Sequence, residues 1–178
     1  MQDWQVQAKK NELNILEDGK CQLCGSNTAK GLFECVGKSS LITHQFNHED
    51  GIKYNTIFLC VDAHALQHSE IHGRWNNHFH LTRLNLILIE NINWDYKLSP
   101  LLSNVVNSYK MKHLDEKIVS PEIGKRGFIT ISDVEKSSSD SDYIQLVNKW
   151  AVGVFESFIQ GHEISKKISR LFKDKYFT

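Results

Sequence analysis

Cysteine and histidine are crowded into one part of this chain. Seven of the nine histidines (His44, His48, His64, His68, His72, His78 and His80) fall between residues 44 and 80. The four cysteines, Cys21, Cys24, Cys35 and Cys60, lie in or just before that stretch. Thiolates and imidazoles are the ligands that zinc and its neighbours prefer. The segment Cys21-Gln22-Leu23-Cys24-Gly25 gives the cluster a focus. Two thiols separated by two residues, with glycine after the second, suit a knuckle whose backbone folds back under a metal. The first residues carry no basic stretch followed by an apolar run. We therefore expect a cytoplasmic chain with reduced thiols rather than disulfides.

Cys21 and Cys24 supply half of a tetrahedron. His64, His68 and His72 recur at intervals of four and share one helical face. His80 belongs to the following helix, and a turn near Gly73 would bring it beside His68. The first choice of ligands is therefore Cys21, Cys24, His68 and His80. Cys60 lies four residues before His64, so Cys21, Cys24, Cys60 and His64 form the alternative set. His72 is a further substitute. Any of these closes a four-ligand Zn2+ site with no open position, which makes the ion structural. A structural zinc contributes folding free energy on the order of 10 kcal/mol. His44, His48 and His72 otherwise read as polar surface residues, and His78 as facing water. Cys35 reads as a small buried hydrophobe or an inert loop thiol. Asp62 is either the hydrogen-bond partner of a ligand histidine or a helix-surface carboxylate. Gln67 has a weaker claim to the same role.

The scaffold reads as mainly α, a single helical domain with an N-terminal zinc-knuckle segment and little or no sheet. The chain has 178 residues, of which 40% are hydrophobic and 24% charged, as in an ordinary soluble globular protein. We place one domain over residues 1–178, with a zinc-binding part over 20–90 and a helical part over 99–178. Spacing predicts helices over 1–17, over 55–72 with Gly73 as C-cap, and from Asn76 or Asn77 to Ile89. Ser99-Pro100 starts another helix that runs to Lys112. Ser132-Asp133-Val134-Glu135 has capping-box form. Ile144, Val147, Ala151, Val154 and Phe158 mark an amphipathic helix, ended by Gly161. Ile164, Ile168 and Leu171 mark the last one. Residues 26–40 look irregular, 41–48 fit strand or helix equally, and 128–131 read as a short extended piece. No run of 18 apolar residues occurs, so no membrane span is expected.

Several segments together resemble a bacterial family of unknown function. Its pattern is C-x-x-C-G, then V-D-A-Y-A-x-Q-H-P, then V-H-L, L-T-V-A-D-V and L-V-R-x-W-A. Here the matching pieces are Cys21–Gly25, Val61-Asp62-Ala63-His64-Ala65-Leu66-Gln67-His68, and His80-Leu81. Phe128–Val134, Leu146–Ala151, Phe155 and His162-Glu163 extend the likeness, which covers about residues 20–172. Carried over by position, the resemblance implies Cys21, Cys24, His68 and His80 as the shared polar set, with Asp62 and Gln67 nearby. His64 replaces the family's Tyr, Ser69 replaces its Pro, and Cys60 matches nothing in the pattern. The resemblance implies a fold and a site, and no activity.

Two functions of different kinds follow from these residues. The first is a zinc-stabilised helical module that acts through a protein partner. The alternative is an HNH-like metal-dependent nuclease, with His44 as base, Asn55 as orienting residue and His68 as metal ligand. Against the nuclease, Ala63 stands where a second C-x-x-C would need cysteine. The chain also balances 21 basic residues with 21 acidic ones, which excludes a bulk electrostatic claim on nucleic acid. His68-Ser69-Glu70 imitates the H-x-E of zinc deaminases, but with the C-x-x-C before it rather than after. The basic residues Lys166, Lys167, Arg170, Lys173 and Lys175 read as a solvated helix face. The C-terminal amphipathic helices would serve a homodimer as readily as a monomer core.

Overall fold

The structure, a computed structural model, describes residues 3–45, 54–116, 118 and 120–177, with residues 41–45 as backbone. The expectations for His48 and for the side chain of His44 lie outside the described residues. Eight α-helices carry the described chain: α1 Asp3–Lys10, α2 Gly31–Gln45, α3 Tyr54–Gln67, α4 Arg74–Leu88, α5 Leu98–Lys112, α6 Ile131–Val134, α7 Asp140–Ser157 and α8 His162–Tyr176. Among the described residues there is no strand, only one isolated bridge between Gly19 and Lys30. The mainly helical class is therefore observed. No described helix is long and apolar enough to cross a membrane.

Helix α3 lies at the centre because it is apolar nearly all round. Leu59, Cys60, Ala63, Leu66 and the polar Asp62, His64 and Gln67 are all buried. It packs against α7 and α4, and α2 meets it near His64. Helix α4 continues the stack onto α5 and α8. Large rings fill the joints. Trp94 stacks on Phe172 with centroids 5.8 Å apart, and Trp150 of α7 meets His64 edge-on. Removing such surface from water is the main stabilising contribution, at about 25 cal/mol per Å2.

Several boundaries differ from the spacing argument, among them α1, which spans Asp3–Lys10 rather than 1–17. Helix α3 stops at Gln67, and a 3-10 turn over Ser69–Ile71 follows. Gly73 then serves as N-cap of α4 rather than C-cap of α3, at an ordinary extended φ of −68°. The capping box sits two residues earlier than expected. Asp133 accepts from the backbone N–H of Thr130, 2.9 Å away, so Thr130 rather than Ser132 caps α6. Residues 26–40 are not irregular throughout, because α2 begins at Gly31. The carboxylate of Glu34 accepts from the N–H groups of Ala29 and Lys30, at 2.8 and 3.0 Å, and so satisfies donors at the entry to that helix.

Gly31 is where the knuckle turns into α2. Its φ is +52°, and a Cβ there would lie 2.5 Å from the carbonyl oxygen of Leu16. Both the left-handed backbone and the close approach demand glycine. Gly31→Ala is expected to destabilise the protein by about 1–3 kcal/mol. A urea midpoint equal to that of the wild type would contradict this reading.

His78 is also placed differently from expectation. It is 1% exposed and stacks on Trp75, with centroids 4.5 Å apart. Burial, and then the charge of Arg74, hold it down at about 4. The folded protein keeps this ring neutral where an unfolded chain, at about 6.5, takes up a proton. Its contribution to stability is full above pH ~6.5 and is lost as the pH falls from there towards 4. His78→Leu should therefore show a shallower loss of stability between pH 6.5 and 4 than the wild type. Parallel curves would contradict this.

Candidate metal centre

The knuckle forms as its residue types dictate. The N–H of Gly25 donates to the Cys21 carbonyl at 2.8 Å, and the N–H of Cys21 donates to the Ser26 carbonyl at 3.0 Å. Gly25 takes a φ of +76°, which turns the chain back beneath the two thiols. The N–H of Ser26 points at the Cys24 sulfur from 3.4 Å. Outside the turn, Ser132 of α6 shares a hydroxyl contact with Ser26 at 2.7 Å and donates to the Asn27 carbonyl at 2.9 Å.

Two further ligand groups meet this turn. Cys35 comes from the second turn of α2, and His68 from the residue just past the C-terminus of α3. The ligand atoms of Cys21, Cys24, Cys35 and His68 all lie within 4.8 Å of one another. His68 Nε2 is 3.3 Å from the Cys21 sulfur and 3.4 Å from the Cys35 sulfur, and the Cys24 and Cys35 sulfurs are 3.7 Å apart. A tetrahedral zinc with bonds of about 2.3 Å to sulfur and 2.0–2.1 Å to nitrogen separates sulfurs by about 3.8 Å, and sulfur from nitrogen by about 3.6 Å. These three separations agree within a few tenths of an ångström. These residues therefore fit a metal ion.

The histidine is aimed by its own helix. His68 Nδ1 donates to the His64 carbonyl at 2.6 Å, which leaves Nε2 facing the thiols as the ligand nitrogen. His64 stacks on it, with ring centroids 4.0 Å apart. Cys21, Cys35 and His68 are buried and Cys24 is half-buried. Hydrogen bonds from Cys24 and Cys35 pull the Cys21 thiol far down, while its bond to Cys21 pushes the Cys35 thiol far up. Burial opposes a charge on His68, but hydrogen bonds to Cys21 and Cys24 outweigh it and raise the ring to about 10. The cluster thus favours a thiolate beside an imidazolium, the protons of which a bound metal would displace.

Three of the four expected residues, Cys21, Cys24 and His68, lie in this group; its fourth member is Cys35, and His80 is not in it. His80 points elsewhere because a stronger partner holds it. Its Nδ1 lies 2.7 Å from Asp62 Oδ1, and Arg83 donates to the same carboxylate at 2.6 and 2.8 Å. Asp62 therefore does bind a histidine, but His80 and not His68. The alternative pair separates too. Cys60 faces Tyr143 of α7, and burial pushes its thiol up to about 12. His64 lies at the edge of the cluster, its Nε2 3.7 Å from the Cys35 sulfur. All four cysteines are free thiols.

The other candidate residues serve the scaffold. Gln67 donates to the carbonyls of Arg126 and Ile129 at 3.0 and 2.9 Å and fastens that loop to the end of α3. Glu70, the carboxylate of the H-x-E triplet, pairs with Arg126. Asn55 accepts from the N–H of Trp94 at 2.5 Å. Cys35 was hidden by the irregular reading of residues 26–40. Leu32, Cys35 and Val36 recur at helical intervals, and that was the available signal.

The fold and the cluster define a helical protein built around a buried group of three cysteines and one histidine. The chain belongs to a family of unknown function (DUF5946), whose pattern matches residues 19–158. No curated protein and no solved structure matches it.

Proposed function

We propose that the protein is a zinc-stabilised helical interaction module. The observation that carries this reading is closure. Three thiols and one imidazole bring their ligand atoms within 4.8 Å of one another, and four such ligands are the full complement of a tetrahedral structural zinc. Thiolate-rich ligation favours zinc over magnesium, calcium or manganese. With four protein ligands, no coordination place is left for a substrate. The ion would then hold together three segments: the knuckle, α2 and the end of α3. The surface would carry the function. Phe128 is 99% exposed and Ile159 is 71% exposed, and apolar side chains left in water to this degree support a protein partner.

A cobalt-substituted sample tests closure. Added azide should leave its visible spectrum unchanged, because no position is free to bind it. A spectrum that shifts on titration with azide would reveal an open position and favour metal-assisted hydrolysis over a structural role.

A further inference from the structure

We propose that His72 and His80 form a second, exchangeable site for a late first-row divalent cation, on the wall of a cavity beside the buried cluster. The cavity has a volume of about 660 Å3 and is lined by Trp4 and Gln7 of α1, Ser39 of α2, His64 of α3, and both of these histidines. This inference does not rest on the zinc reading above.

His80 is oriented as a ligand histidine is oriented. Asp62, fully buried, receives its Nδ1–H at 2.7 Å, so Nε2 is the ring nitrogen left to meet a metal. Arg83 fixes the carboxylate from behind through two hydrogen bonds and neutralises its charge. A carboxylate holding one ring nitrogen while the other is left for a metal is the usual support of a metal-bound imidazole. His72 supplies the partner ring. Its side chain makes no hydrogen bond among the described residues, although it is half-buried. The two ring centroids are 5.6 Å apart, with planes inclined at 64°. An imidazole bound through nitrogen at about 2.1 Å sets its centroid about 3.2 Å from the ion, so two rings on one ion lie at most about 6.4 Å apart, and this spacing falls within that reach. Two nitrogens leave the remaining positions to water in the cavity. The site should therefore be weaker than the buried cluster and should exchange freely. Imidazole ligation selects zinc, cobalt, nickel or copper over magnesium and calcium.

Titration of the full chain with Co2+, followed by visible and near-ultraviolet absorption, separates the two sites. The wild type should bind two equivalents. One gives intense thiolate-to-metal charge transfer. The other gives only weak d–d bands and is removed by citrate. His72→Ala leaves the Asp62 pair untouched, so its fold is not at risk. It should keep the first signal and weaken the second equivalent by at least about 10-fold, the lower end of what losing even a ligand's hydrogen-bond partner costs. His80→Gln should do the same to the second equivalent. A wild type whose only bound equivalent is the one with charge transfer would overturn the proposal. So would a second equivalent undiminished in His72→Ala. Loss of the charge-transfer signal alone, with the weak bands retained, would instead refute the thiolate centre and leave the histidine site standing.

Discussion

Cys35→Ser should abolish tight zinc binding and unfold the N-terminal part of the protein. The sulfur removed is one of four ligands, and it joins α2 to the knuckle and to His68. Metal binding in such sites contributes on the order of 10 kcal/mol. A native domain has only about 5–15 kcal/mol in all. Losing the ion therefore consumes most of the margin, even if the C-terminal helices persist. Cys60→Ser is the matched control, since Cys60 is equally buried but faces Tyr143. That variant should keep its zinc. Metal analysis with circular dichroism on both variants checks the contrast. Equal zinc in Cys35→Ser and wild type would remove Cys35 from the centre.

The second large effect concerns Asp62. Its carboxylate is 0% exposed, and its guanidinium partner Arg83 is 4% exposed. Arg83 is enclosed by the rings of Phe58, Phe79 and Trp94, with its charged carbon 4.4, 4.9 and 5.8 Å from their centroids. Asp62→Asn leaves that charge buried without its counter-ion, at an expected cost of about 3–5 kcal/mol. The double change Asp62→Leu with Arg83→Met should recover much of the loss, because an apolar pair removes both desolvation penalties. Urea denaturation of the single and double variants decides the matter. A double variant no more stable than Asp62→Asn would contradict the account of this pair.

Much of the fold was legible because burial leaves a periodic trace. Helix α7 could be read from Ile144, Val147, Ala151, Val154 and Phe158, and α8 from Ile164, Ile168 and Leu171. Helix α2 left a weak trace. Gly31, Gly37, Ser39 and Ser40 have low intrinsic helix preference, and tertiary packing against α3 overrides it. The metal centre was half legible for the same reason. Cys21 and Cys24 announce themselves through local spacing, and His68 through its place at the end of an apolar helix. Cys35 is brought in only by the helix that was missed. His80 entered the ligand set through the turn expected near Gly73 and through the family resemblance. What sequence spacing does not show is the competition for its ring, which the buried Asp62 wins.

The central claim is that one ion is held by three sulfurs and one nitrogen. Zinc-edge X-ray absorption on the purified full chain, after removal of loosely bound metal with citrate, reads that ligand set directly. The account predicts three sulfurs at about 2.3 Å and one nitrogen at about 2.0–2.1 Å. A shell of two sulfurs and two nitrogens would contradict it and return His80 or His64 to the centre in place of Cys35.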